Sequence, residues 1–238
     1  MTPRYPLSVV IPVFNEEERL PASLERILAW KGDLCSISEV IVVDDGSQDA
    51  TLAIAKRFTD ERLRTVTYHP NAGKGYAIRR GVLESTADVI LLCDADLSTP
   101  IEEADALARH LADFEIVIGS RAIDVSTVTR KQPWYRQQMG RTFNTIMRMI
   151  TGLPYRDTQC GFKLMTRDAG RAIFTEAVID RFAFDVEMLI IAHHLGLHVK
   201  EAPVTWLNSE DSRVRIVRDS SRMLLDIIRT RLRLGRTQ

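Results

Sequence analysis

No apolar stretch in this 238-residue chain approaches the ~20 residues that a membrane-spanning helix requires. The opening Met1-Thr2-Pro3-Arg4-Tyr5-Pro6 is too short and polar for a secretory signal, so no exported form is expected. Cysteine is scarce. Cys35, Cys93 and Cys160 lie far apart, and an odd count provides no disulfide framework, which predicts a reduced, cytoplasmic protein. There is no internal repeat and no low-complexity linker, so residues 1–238 read as one domain. The formal net charge is zero, but two segments depart from it. Residues 125–156 carry Arg130, Lys131, Arg136, Arg141, Arg148 and Arg156 and no acid, and residues 213–238 set eight arginines against Asp219 and Asp226. An acidic body with two basic segments suggests an anionic partner at one surface.

What is present is alternation. Ser8–Phe14, Val40–Val43, Leu63–His69, Asp88–Cys93 and Glu115–Gly119 read as strands. Between them, helical spacing covers Glu16–Trp30, Thr51–Phe58, Lys74–Glu84 and Ile101–Leu111. Strict alternation with short connections predicts an α/β fold, a mostly parallel sheet with helices on both faces. Pro12 inside the first strand predicts a bend or a break in the ladder there. Further on, Trp134–Ile150, Phe184–Leu195 and Ser220–Leu234 read as helices, and Phe162–Thr166 and His198–Val204 as strands. The last helix has an arginine stripe and an apolar stripe, with Arg231 in the middle of the apolar one.

The chemistry concentrates where strands end. In an open parallel sheet, ligands bind beyond the carboxyl ends of the strands. Three of those ends are polar: Asn15-Glu16-Glu17-Glu18, Asp44-Asp45-Gly46-Ser47-Gln48-Asp49, and Asp94-Ala95-Asp96. Two carboxylates at i and i+2 repel unless something neutralises them. A hard divalent cation shared with substrate phosphates does so. The fourth strand end is therefore a candidate metal–diphosphate site, with Asp94 and Asp96 as ligands. Acids at the first two ends suit base N–H groups and ribose hydroxyls.

Taken together, these motifs resemble the inverting family 2 glycosyltransferases of the GT-A fold. The resemblance rests on Val9-Val10-Ile11-Pro12-Val13-Phe14-Asn15-Glu16, Val42-Val43-Asp44-Asp45-Gly46-Ser47, Asn71-Ala72-Gly73-Lys74-Gly75 and Asp94-Ala95-Asp96. Gly119-Ser120-Arg121, Asp157-Thr158-Gln159-Cys160-Gly161-Phe162-Lys163 and Phe184-Asp185-Val186-Glu187 narrow it to the polyprenyl-phosphate sugar synthases, nearest the dolichyl-phosphate β-glucosyltransferase branch. The resemblance spans about residues 7–215.

It implies metal-dependent transfer of glucose from UDP-glucose to a polyprenyl phosphate, with inversion and with Mg²⁺ or Mn²⁺ as cofactor. Pro12, Phe14, Glu16, Asp44, Asp45, Lys74 and Ala95 would border the donor. Asp94 and Asp96 would flank the diphosphate, with Asp96 the preferred direct metal ligand. Arg121 and Gln159 would lie near the sugar and the acceptor phosphate, and Asp185 and Glu187 beneath the acceptor side. Relatives of the mannosyl branch can carry a metal-binding glutamine where this chain has Ser98. The basic 125–156 segment and the 216–238 helix would face the acceptor and a membrane. Peripheral attachment to the cytoplasmic face, or docking on a separate membrane protein, is expected.

Other readings are weaker. GDP-mannose as donor is the nearest rival, followed by a soluble acceptor. A non-enzymatic module on anionic lipid or nucleic acid leaves the polar strand ends unexplained, so no nucleic-acid partner is expected. A dinucleotide-binding dehydrogenase lacks its glycine-rich turn after the first strand. His193, His194 and His198 lack zinc-site spacing, and Cys160 reads as a packed thiol.

Overall fold

The structure, a computed structural model, describes residues 5–123, 145–207 and 216–235. Its centre is a seven-stranded sheet in the order β3-β2-β1-β4-β6-β5-β7. The strands are β1 (Tyr5–Val13), β2 (Cys35–Asp44), β3 (Leu63–Thr67), β4 (Val89–Leu92), β5 (Ile116–Ser120), β6 (Lys163–Thr166) and β7 (Val199–Pro203). Every pairing is parallel except those of β6, which runs antiparallel to both β4 and β5. The reason is local. Residues 157–162 lie at the carboxyl end of β5, where Asp157 meets Arg121 and the Phe162 carbonyl accepts Gly119 N–H, so β6 enters the sheet from that end.

Helices cover both faces. The apolar side chains of β1 alternate, Val9 and Ile11 to one face and Val10 to the other, and all three are fully buried. On the first face they meet Leu20, Leu24 and Ile27 of α1 (Leu20–Ala29), Ala55 of α2 (Thr51–Ala55), and Ala104 and Leu107 of α4 (Glu103–Ala108). On the other they meet α3 (Lys74–Glu84), the helix over residues 145–151 (α5), α6 (Arg167–Glu176), α7 (Phe184–His194) and α8 (Ile216–Leu234). Nine consecutive residues of α7, Phe184 to Ala192, are buried, including Asp185 and Glu187.

Pro12 does not break the ladder. It stays in register opposite Val43, and the one irregularity of that pair falls between Leu7 and Ser8. The backbone groups of alternate β1 residues face β4, where the Val10 carbonyl accepts Cys93 N–H at 3.1 Å. Pro12 is the next residue on that side, beyond the Val10–Leu92 pair at which the β4 ladder ends, so its missing N–H costs no bond. The first helix begins at Leu20 and not at Glu16, because the backbone of residues 15–17 is bound to a neighbouring loop. Helix α6, with Thr166 accepting the Ala169 N–H as its cap, was not anticipated. Of the 134–150 helix, residues 134–144 lie outside the described residues, as does most of the basic 125–156 segment. Among the described residues no helix is long and apolar enough to cross a membrane.

Candidate active site

A cleft of about 620 Å³ opens beyond the carboxyl ends of β1, β2, β4 and β5, as expected for an open parallel sheet. Its first wall is loop chemistry. Asn15 takes φ 55° as the chain leaves β1. Its N–H donates to Ser47 Oγ at 3.0 Å, Glu16 N–H to Thr51 Oγ1 at 2.7 Å, and Ala50 N–H to Glu17 at 2.8 Å. Ser47, Asp49 and Thr51 thus lace the second strand end to the first, which is a more specific job than capping α2. Glu16 reaches the cleft and is held by Arg19 through two 2.7 Å bonds.

The two adjacent acids of β2 divide their work. Asp45 lines the cleft, but its carboxylate already accepts Ala72 N–H at 2.7 Å, Gly73 N–H at 2.9 Å and Asn71 Nδ2 at 2.8 Å. Burial pushes its pKa up against those bonds. Asp44 turns away. It is buried and accepts Ser47 N–H at 3.1 Å and Thr67 Oγ1 at 3.2 Å, so the structure does not place it on the donor wall expected from the sequence. Asp45 instead fixes the 71–73 loop, and that loop delivers Lys74, the first residue of α3.

The floor is a cluster of opposite charges. Lys74 Nζ lies 2.6 Å from Asp94 Oδ1. Burial opposes the Lys74 charge, but Asp94, Asp185 and Asp96 outweigh it and hold the pKa above the ordinary lysine value. Burial likewise opposes the charge of Asp94, and Lys74, Lys163 and Arg121 override it, holding Asp94 below the usual carboxylate range. Asp96 faces the same cleft and accepts Ser98 N–H at 3.0 Å. Gly161 makes room for Asp94, since a Cβ there would meet Asp94 Oδ2 at 2.1 Å. Ala95 lines the cleft while its carbonyl accepts Ser23 Oγ at 2.6 Å.

The far wall comes from β5, β6 and α7. Arg121, just past β5, grips the buried Asp157 through Nε at 2.7 Å and Nη2 at 2.9 Å, beneath the Trp206 ring at 5.6 Å. Gln159 lines the cleft, and its N–H donates to Asp157. Lys163 of β6 is fully buried and donates to Asp185 and to the Cys160 carbonyl. Burial raises the Asp185 pKa against the pull of Lys163 and Lys74.

The structure therefore brings together Pro12, Phe14, Glu16, Asp45, Lys74, Asp94, Ala95, Asp96, Arg121, Gln159 and Asp185. Asp44 and Glu187 stand outside. Glu187, buried in α7, does not line the cleft; it accepts the Val178 and Ile179 N–H groups beneath the neighbouring groove that Val178, Ile179 and Arg233 line. Sequence reasoning missed Lys163, Asp157 and Arg181. A lysine in the apolar strand Phe162–Thr166 is a readable signal, whereas the partner of Asp157 lies 36 residues away at Arg121 and only the fold brings the two together. Cys160 is a buried thiol whose pKa burial raises, consistent with a packing role. His198 Nδ1 lies 3.2 Å from Glu115 at the opposite end of β5.

The family model for glycosyl transferase family 2 matches residues 8–174. The chain belongs to glycosyl transferase family 2. Curated relatives agree. It is 36% identical over 229 residues to the dolichyl-phosphate beta-glucosyltransferase of Mus musculus, covering 90% of this chain and 71% of that one. It is 37% identical over 229 residues to the Drosophila melanogaster protein of the same name, covering 90% and 70%. Solved structures of this architecture include glucosyl-3-phosphoglycerate synthase from Mycobacterium tuberculosis, TM-score 0.70 at 20% identity, covering 97% of this chain and 80% of that one. Mannosyl-3-phosphoglycerate synthase from Rubrobacter xylanophilus aligns with TM-score 0.73 at 18% identity, covering 98% and 76%. At such identities the likeness speaks to fold, and the fold of this family 2 glycosyltransferase is GT-A.

Proposed function

We propose that this family 2 glycosyltransferase moves glucose from UDP-glucose to a polyprenyl phosphate of the dolichyl type, with inversion at the anomeric carbon. The observation that carries the reading is one cleft holding the Asp94/Asp96 pair, Lys74 and Arg121 within reach of the polar ends of β1 and β2. Relatives named for that activity, matching most of the chain, supply the donor sugar and the acceptor class.

The residues suit a divalent cation. Asp94 and Asp96 present only oxygen donors, which fits Mg²⁺ or Mn²⁺. Lys74 occupies Asp94 Oδ1, whereas among the described residues Asp96 accepts one hydrogen bond, from Ser98 N–H, so Asp96 offers the more open ligand. When bound, the cation neutralises charge on the leaving diphosphate. Lys74 adds a second positive charge beside it. The Asp157 grip aims the planar Arg121 fork at an anion entering the cleft. The acceptor phosphate oxygen forms the bond to C1 as the bond from C1 to the diphosphate oxygen breaks. A phosphate is already ionised at neutral pH, so no group has to remove a proton.

A neighbouring groove of about 570 Å³ supports a lipid acceptor. It shares Arg181 with the cleft and is lined by Val178, Leu225, Arg222 and Arg229; its two acids, Asp180 and Asp226, are paired with Arg79 and Arg229, so arginines remain in excess for a lipid monophosphate. The outer side of α8 exposes Ile228 and Leu232 near Arg222 and Arg229, which supports peripheral contact with an anionic membrane.

The test is a radiolabelled transfer assay with UDP-glucose or GDP-mannose, polyprenyl phosphate, and Mg²⁺ or Mn²⁺, followed by extraction into organic solvent. Label from UDP-glucose should enter the organic phase. Asp96→Ala should lower kcat/KM by ~10²-fold or more, the scale on which one charge-stabilising group acts. Label that stays aqueous with every donor overturns the lipid acceptor.

A further inference from the structure

Lys74 owes its position to a segment pressed against its turn. A Cβ on Gly75 would lie 2.3 Å from the Ile179 carbonyl oxygen, and one on Gly73 would lie 2.4 Å from that of Asp180. The glycines on either side of Lys74 are thus required by the close approach of residues 177–181. Direct bonds lock the contact. Tyr76 N–H donates to the Asp180 carbonyl at 3.1 Å. Arg79 holds the Ala177 carbonyl at 3.1 Å and Asp180 Oδ1 at 2.7 Å. Where this segment lies, the Gly73-Lys74-Gly75 turn lies too.

The other side of the segment is held by a carboxylate. Glu187, fully buried in α7, accepts Ile179 N–H at 2.8 Å and Val178 N–H at 3.1 Å. Its other oxygen lies 3.1 Å from Arg233 Nη2, in the last turn of α8. A buried carboxylate stays charged only where such partners surround it. Burial pushes the Glu187 pKa up, and the two N–H groups and Arg233 work against that. Arg79 pulls the same way from farther off, and Arg233 is the cation in direct contact that keeps Glu187 an effective acceptor for the segment. Arg233 belongs to the helix whose Arg222 and Arg229 line the neighbouring groove on the same face.

We propose that Glu187 and Arg233 are positioning residues that set Lys74 against Asp94 through residues 177–181, so that the seating of α8 is felt at the donor diphosphate. Neither lines the cleft, so neither is a catalytic residue. The inference rests on the donor reading of the cleft given above.

The experiment measures the donor KM, and the Kd for UDP with Mn²⁺, on the full chain. Glu187→Gln keeps an oxygen for the loop N–H groups and removes the charge facing Arg233. Arg233→Met removes the cation. Each should raise the donor KM and the UDP Kd about tenfold, a penalty in keeping with a sub-ångström displacement of Lys74. Arg233→Lys should restore both to within about threefold of the wild type. Because Lys74 transmits the effect, Glu187→Gln added to Lys74→Met should raise neither constant further. Loss of folded protein alone would lower kcat and leave the donor KM of the surviving molecules unchanged. Unchanged donor constants in the folded variants overturn the proposal, as does a full additional effect of Glu187→Gln on top of Lys74→Met. If Glu187→Gln precipitates, the Arg233→Met and Arg233→Lys pair decides by the same constants. A wild type that binds UDP but transfers no glucose to lipid sinks the acceptor assignment and leaves the positioning role measurable. A wild type that binds no UDP sinks both.

Discussion

Gly161 shows how one missing methyl group holds a reactive carboxylate in place. Its Cα faces Asp94 so closely that a Cβ would stand 2.6 Å from the carboxyl carbon. Asp94 keeps 38% of its side chain in solvent, so it can swing away with little loss of packing. Gly161→Ala should therefore leave Tm within about 3 °C of the wild type. It should lower transfer by ~10²-fold, because the displaced Asp94 no longer meets Lys74. A variant with wild-type transfer would show that the placement of Asp94 does not matter. The importance of residue 161 could be read from its motif, but the cause could not, because Gly161 and Asp94 are far apart in sequence. Asp44 illustrates the opposite failure. Adjacent acids in Val43-Asp44-Asp45-Gly46 look equivalent on paper, yet strand alternation sends them to different sides, and only Asp45 borders the cleft. Lys163 is a third case. A buried lysine in an apolar strand announces a partner, but only the fold identifies it as Asp185.

Among the elements, those built from periodic apolar residues were legible. The spacing predicted α3 over Lys74–Glu84, and the helix occupies those residues. It also found β4, β5 and α7 to within two residues at either end. Helix α6 escaped because its sequence, Arg167–Glu176, has little net hydrophobicity and relies on a Thr166 cap and a narrow buried stripe of Ala169, Ile173 and Phe174. The antiparallel course of β6 was also beyond sequence alternation, which assumes a crossover before each strand. For α8 the amphipathic division holds, with Met223, Ile227, Thr230 and Leu234 facing the protein. Arg231, the apparent flaw in the apolar stripe, donates to the Thr151 carbonyl at the end of α5. The outward side retains Ile228 at 39% and Leu232 at 60% exposure. Sedimentation with anionic phospholipid vesicles checks what that surface does. Replacing both residues by serine should lower vesicle binding about tenfold, since each loses part of the transfer energy of a buried aliphatic side chain. The Ile228 and Leu232 sites touch neither cavity wall, so activity on a short-chain acceptor in detergent should persist. Unchanged sedimentation would rule out this side of α8 as the contact.

At the scale of the whole molecule, opposing carboxylates give stability and chemistry different pH dependences. Asp45 and Glu187 are almost fully buried, and burial raises both pKa values above those of the unfolded chain. A carboxyl group shifted upward binds its proton more readily in the folded state. Its contribution to stability is present at low pH and is lost as pH rises through the folded value. Asp157 and Glu39 are shifted the other way. Burial opposes their charge, but Arg121 and its hydrogen bonds prevail at Asp157, and Ser8, Thr86 and Arg64 prevail at Glu39. Their contribution is present above the unfolded pKa and is lost as pH falls through the folded value. Asp60, held at about 2 by Arg62, belongs with them. Acidification from neutrality should thus first relieve Asp45 and Glu187 and only later disrupt the ion pairs. Tm should therefore rise on mild acidification from neutrality and fall again once the pH drops below the ordinary carboxylate range. UDP affinity should decline on the same mild acidification, because protonated Asp45 loses its hold on the 71–73 loop that delivers Lys74. A Tm that falls steadily from pH 7 downward would mean that the ion pairs alone set the acid response. Asp45→Asn should flatten the acid-side rise, because an amide cannot take up the proton that relieves the folded state.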